Sequence, residues 1–222
     1  MVDYYITLEL ESDATFSRGD GIAGMLNQEV QHDEYGCPYI SGKTLKGLLV
    51  ASCAEIMMSL KKMNQDAAWC EPAGRLFGKA GSSEVGQALM HVGDAKLPWD
   101  LRQALLYDWV EYKKMRPEEI LDSMTAIRSQ TKVDEETQAA ANGSLRSDRV
   151  ILKGMYFEAV LVFDDKPQKE ELELLSACVK ATCRAGSNVS RGRGRLIAKL
   201  LDGNRKSILC EYFNKFKEEV LK

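Results

Sequence analysis

Histidine is nearly missing from this chain of 222 residues; there are two, His32 and His91. That excludes a metal site built from several histidines and leaves a Ser/His/Asp triad little to stand on. Cys37, Cys53, Cys70, Cys178, Cys183 and Cys210 never take the C-x-x-C spacing of zinc and redox motifs. Cys53 and Cys178 fall on apolar faces of expected helices, so buried free thiols are the expectation. No apolar run approaches the roughly 20 residues that cross a bilayer. The opening MVDYYITLELES is neither basic nor followed by a signal-type apolar block, so the chain reads as cytoplasmic. An excess of positive charge is missing too. The formal net charge of -3 argues against a generic nucleic-acid coat, but leaves room for a local basic stripe.

What is present is an ordinary globular composition, 45% hydrophobic and 28% charged, in a chain long enough for a real core. Residues 2–11 alternate, with Val2, Tyr4, Ile6, Leu8 and Leu10 on one side, which predicts a half-buried strand. Residues 12–42 are Gly-rich and polar without a helix period; such a long segment is expected to be functional. Residues 43–63 carry Leu45, Leu48, Leu49, Cys53, Ile56, Leu60 and Met63 on one helical stripe, capped by Ser41 or Gly42. Residues 88–97 read as a strand, 100–115 and 117–124 as helices, the second opening at Pro117. The polar stretch 125–150, with a turn at Asn142–Gly143, reads as an extended hairpin-like projection. Residues 152–163 predict a strand, 168–185 a helix, 195–201 a strand and 208–221 a packing helix. Stripped of insertions, the order is βαββαβ, a ferredoxin-like α+β core with long loop insertions.

Basic residues gather in KTLKG (43–47), AIRSQTK (126–132), LRSDR (145–149) and SNVSRGRGRL (187–196). The last has two readings: a solvated turn, or a loop whose bare backbone and guanidinium groups hold an anion such as phosphate. Lys43 and Lys46 sit in the first turn of their helix, where the dipole disfavours cations by a few tenths of a kcal/mol. An anion at the helix start would account for them.

PYISGKTLKGLL (38–49), RLFG (75–78), the 125–150 projection and SNVSRGRGRL, in this order, resemble the RAMP superfamily of CRISPR proteins. Most specifically they resemble the single-domain backbone subunit of type III effector complexes. The resemblance implies an RRM-like domain over residues 1–222. Its core is 1–11, 43–98 and 151–201, with a loop insertion at 12–42. Residues 99–150 form a helical and thumb insertion, and 207–222 a C-terminal helix. It also implies binding of CRISPR guide RNA, pairing of that guide with target RNA, and assembly with other RAMP subunits and the large signature subunit. The implied RNA contacts are Arg18, Lys43, Lys46, Arg128, Lys132, Arg146, Arg149, Arg191, Arg193 and Arg195. From the residues alone, Arg146 and Arg149 could instead pair with Asp148 or Glu158. The other function that the superfamily implies is an endoribonuclease processing CRISPR repeat RNA, for which His32 is the one candidate base.

In the family, an aspartate in the 12–42 loop supports target-RNA cleavage with Mg²⁺ or Mn²⁺. Here the matching position holds Asn27. A neutral amide cannot act as a general base and is a weaker ligand for a divalent cation. Three explanations stand: a naturally non-cleaving subunit, an engineered replacement, or substitution by Asp20, Glu29 or Asp33 from the same loop. Those acids have an equally simple use in capping turns, as at Gly19–Asp20–Gly21.

Overall fold

Tyr4, Ile6, Leu8 and Leu10 are all buried, as the alternation of strand β1 (Asp3–Leu10) predicts. The computed structural model describes residues 3–78, 87–112, 115–131 and 143–221. β1 lies inside a four-stranded sheet. It pairs antiparallel with β5 (Tyr156–Phe163), Asp3 opposite Val162, and with β6 (Leu196–Leu201), Leu10 opposite Leu196. The short β2 (Met90–Val92) adds to the far side of β5, giving the order β2-β5-β1-β6. This is the ferredoxin-like arrangement, and the fold class is α+β.

Two helices, α1 (Gly42–Lys62) and α5 (Lys169–Ala181), bury their apolar stripes in the core that covers the sheet. Ser52 Oγ and Thr182 Oγ1 share a hydrogen bond of 3.0 Å between them, and Cys53 and Cys178 are buried nearby. The expected tail helix is present as α6 (Leu209–Val220). It packs on α5 and sets Phe216 against Trp69, ring centroids 4.6 Å apart. Helices α3 (Trp99–Tyr112) and α4 (Pro117–Met124) fall where Pro117 and the apolar spacing put them. No helix among the described residues is long and apolar enough to cross a membrane.

Three features differ from the expectations. Trp69 stands on a helix, α2 (Ala67–Phe77), that the pattern did not announce, because Pro72 lies inside it. The expected strand 88–97 is cut to three residues: Gly93 and Asp94 break it, and pairing resumes only as bridges at Ala95 and Lys96. All six cysteines are free, but Cys70, Cys183 and Cys210 are exposed rather than buried.

The 12–42 segment is not a slack loop. Arg18 N donates to Glu29 O (2.9 Å) and Gln31 N to Phe16 O (2.8 Å), folding it back on itself. Ala14, Phe16, Leu26, Val30, Cys37 and Ile40 are buried beneath it. The hairpin-like projection begins as β3 (Thr125–Gln130) paired antiparallel with β4 (Arg146–Ile151), Gln130 opposite Arg146. Lys132 and Asn142 lie outside the described residues.

Candidate nucleic-acid interface

The sequence-predicted cations separate into three groups once their partners are known. Lys43 and Lys46 open α1, whose first turn carries no acid and whose cap is Ser41 Oγ, accepting from Thr44 N at 3.2 Å. Neither lysine makes an ion pair with a described residue. Gly42 beside them has an internal reason: a Cβ there would stand 2.1 Å from the Val92 carbonyl oxygen. Gly47, mid-helix, has none, since a Cβ there would touch nothing within 4 Å.

The second group meets at a cleft of about 290 Å³ between the hairpin base and the Arg/Gly loop, lined by Gln130, Thr131, Ser144, Arg146, Asn188 and Arg191. The loop reaches it through a 3-10 turn, Val189–Arg191, flanked by Asn188 and Gly192 in the left-handed region. Arg191 Nη1 donates to Gln130 Oε1 at 2.5 Å, which steadies its guanidinium at the rim. Arg146 has no ion-pair partner among the described residues. Two guanidinium groups, two side-chain amides and two hydroxyls around one open cleft suit an anionic oxygen cluster.

The third group is engaged inside the protein. Arg149 is largely buried and forked between Glu29 (3.0 Å) and Asp122 (2.6 Å), not the Asp148 or Glu158 that sequence offered. Glu158 is taken by Arg205, 2.7 Å away. Asp148, only 4% exposed, faces Arg193 at 3.6 Å and accepts from Asn188 Nδ2 at 3.3 Å. It thereby ties the Arg/Gly loop to β4. Arg128 is held by Asp13 (2.9 Å), Arg18 by Asp20 (2.8 Å), and Arg195 lies exposed 3.8 Å from Glu11. Gly194 also works internally: its φ is +73°, and a Cβ would come within 1.9 Å of the Ala185 carbonyl oxygen. Gln130, Asn188 and Asp148 carried no sequence signal for this site, because their relevance depends on contacts across long separations.

Asn27 pairs twice with the hairpin base: its N–H donates to Ser147 O (2.7 Å) and its Oδ1 accepts from Ser147 N (2.8 Å). It lines a second, wider recess with Ile22, Met25 and Leu145, whose side chains are exposed. Three acids of the same loop, Asp20, Asp33 and Glu29, are committed elsewhere. Asp20 is bound by Arg18, which holds its carboxyl below the usual range. Asp33 takes Arg102 at 2.8 Å and caps a turn by accepting from Tyr35 N and Cys37 N. Glu29 is buried against Arg149 and accepts from Val30 N. His32 rests Nδ1 on the Asp33 carbonyl at 3.0 Å. Among the described residues no group of three or more His, Cys, Asp or Glu is placed to hold a metal ion. Among the described residues, the acids of the 12–42 loop do not converge on a site that fits Mg²⁺ or Mn²⁺.

The sheet order and the basic cleft define an α+β protein of ferredoxin-like fold with a candidate anion site at the base of a hairpin. Residues 7–197 match the family model of the RAMP superfamily, and the chain belongs to that superfamily. Its fold is similar to that of a chain in the type III-B Cmr-beta cryo-EM structure of the apo state. That match has a TM-score of 0.63 at 13% identity, covering 89% of this chain and 96% of the other. A chain of type III-B Cmr-beta bound to cognate target RNA is similar at a TM-score of 0.62 and 12% identity, covering 95% and 98%. So is a chain of a type IV-B CRISPR complex, at a TM-score of 0.56 and 13% identity, covering 89% and 90%. No curated protein matches in sequence.

Proposed function

We propose that the chain is a backbone subunit of a type III CRISPR effector complex in the cytoplasm, gripping guide RNA by its phosphates without reading its sequence. Superfamily membership supports the class. The observation that carries the RNA reading is the cleft in which Arg146, without an ion-pair partner among the described residues, and Arg191, steadied by Gln130, converge. Guanidinium groups held this way neutralise phosphates and position a strand, but specify no base. The lysines of α1 extend the contact. Complementary target RNA would then pair with the bound guide, and other RAMP subunits and the large signature subunit would complete the complex.

The same reading makes this subunit a binder that does not cut. Asn27 brings no negative charge, and Asp20, Asp33 and Glu29 of its loop are each engaged by an arginine. A repeat-processing endonuclease is less well supported, because no carboxylate is hydrogen-bonded to the His32 ring among the described residues. The test is to purify the complex, sequence its RNA, and measure guide binding by the Arg146→Ala, Arg191→Ala double variant. Affinity should fall about tenfold for every guide sequence alike, and the salt dependence should flatten by about one unit of slope per lost contact. Loss confined to some sequences, or unchanged affinity in a folded variant, would remove this cleft from the interface.

A further inference from the structure

A third recess, of about 230 Å³, opens between the start of α2, α5 and the end of α6. It shares no residue with the basic cleft. Gln65, Trp69, Lys169, Glu170, Glu173 and Glu219 line it, three carboxylates against one ammonium. At its wall Glu173 is 1% exposed, and its Oε1 accepts no hydrogen bond.

The cation beside that carboxylate is a poor match. Lys169 Nζ stands 3.3 Å away without hydrogen-bond geometry. Lysine four residues before glutamate is the weaker of the two orders on a helix. Lys169 is also the first residue of α5, where the dipole opposes a positive charge. Nor does helix capping need Glu173; Gln168 and Glu171 already form the capping box. Burial raises the pKa of Glu173, and Glu170 and Glu219 raise it further, against the lowering effect of Lys169. A carboxylate so enclosed, with one ill-placed partner, is suited to an incoming cation.

We propose that this recess is a docking socket for a basic side chain, arginine above all, presented by a protein partner. A planar guanidinium can donate to both oxygens of one carboxylate and rest against the part of Trp69 that lines the recess. Lys169 acts as the resident cation, and its exposed side chain swings aside when the partner arrives. Three carboxylates repel a nucleic acid, so the occupant is a polypeptide. The socket is independent of the RNA reading.

The experiment titrates the full chain with the capped tripeptide Ac-Gly-Arg-Gly-NH2, following the amide and indole signals of Trp69 by NMR. The citrulline tripeptide is the uncharged control, and Mg²⁺ alone is the competing small cation. Saturable binding of the arginine peptide is expected, about fivefold weaker for its lysine analogue and absent for citrulline. Glu173→Gln should weaken binding roughly tenfold, and Lys169→Met should strengthen it by a few fold. No saturable change at Trp69, equal binding of citrulline, undiminished binding by Glu173→Gln, or displacement of the peptide by Mg²⁺ would each overturn the socket. Lys169→Met alters an exposed side chain, so its result decides the matter even if Glu173→Gln fails to fold: unchanged or weaker binding counts against the proposal.

Discussion

The two basic glycine motifs of this chain follow opposite plans. At the start of α1, Lys43 and Lys46 have no ion-pair partner among the described residues, nor has Gly47 a described neighbour that would exclude a side chain. In the 186–195 loop the same residue types serve the fold: Arg193 faces the buried Asp148, and Gly194 lets the backbone close on Ala185. Of the loop's three arginines, Arg191 is the one that lines the cleft. Residue type does not separate a binding arginine from a structural one; the presence of an internal acid does.

The comparison breaks most severely at Arg149. Arg149→Ala leaves Glu29 buried without its cation, and loss of one partner of such a pair costs about 3–5 kcal/mol. Chemical denaturation should show that loss, with RNA affinity falling only as far as the folded fraction does. Gly194→Ala comes next, because it combines a left-handed backbone with a contact that backbone atoms cannot yield. A destabilisation of at least about 2 kcal/mol is expected, read as a lower midpoint in urea.

The α1 face should respond in the opposite currency. The Lys43→Ala, Lys46→Ala double variant is expected to keep its stability, or gain a few tenths of a kcal/mol from the helix dipole. Its guide affinity should fall roughly tenfold in a filter-binding assay at fixed salt. Gly47→Ala sharpens the contrast: helix propensity should stabilise the free chain by about 0.5–1 kcal/mol. If RNA backbone lies against this face, the added methyl should also weaken binding. A stabilised variant with unchanged binding would place the RNA elsewhere on the helix.

A small change in stability is expected at Asn27 as well. Asn27→Asp keeps an oxygen for Ser147 N, so stability should move by less than about 0.5 kcal/mol. Assembled on a guide at equal target occupancy, the unmodified chain should leave target RNA intact with Mg²⁺ or Mn²⁺. The variant is the form in which metal-dependent cuts at regular spacing should appear. Full cleavage by the unmodified chain would show that position 27 is not decisive.

How much of this was legible follows from the range of each interaction. Strands β1, β5 and β6 and helices α1, α5 and α6 could be read because their burial repeats every two residues or every turn within one window. α2 could not, since Pro72 breaks the helical signal while tertiary packing of Trp69 and Leu76 carries the segment through. The inward turn of Arg149 was hidden for another reason. Its partner Glu29 lies 120 residues away, and a stretch such as LRSDR shows charge without showing direction. The packed state of residues 12–42 was hidden in the same way, because its ladder partners come from β4 and from the loop itself.

One contact reaches further than its size suggests. Asn27 exchanges two hydrogen bonds with Ser147, and Arg149 N donates to Gln28 O at 3.0 Å, so residues 27–28 ride on β4 like an extra strand. A flexible joint between them is therefore absent along this stretch. A displacement of β4 carries position 27 with it, because the two are joined through backbone hydrogen bonds. Whichever residue stands at position 27 therefore keeps its place relative to the base of the hairpin, and a substitution there is presented in the frame of β4.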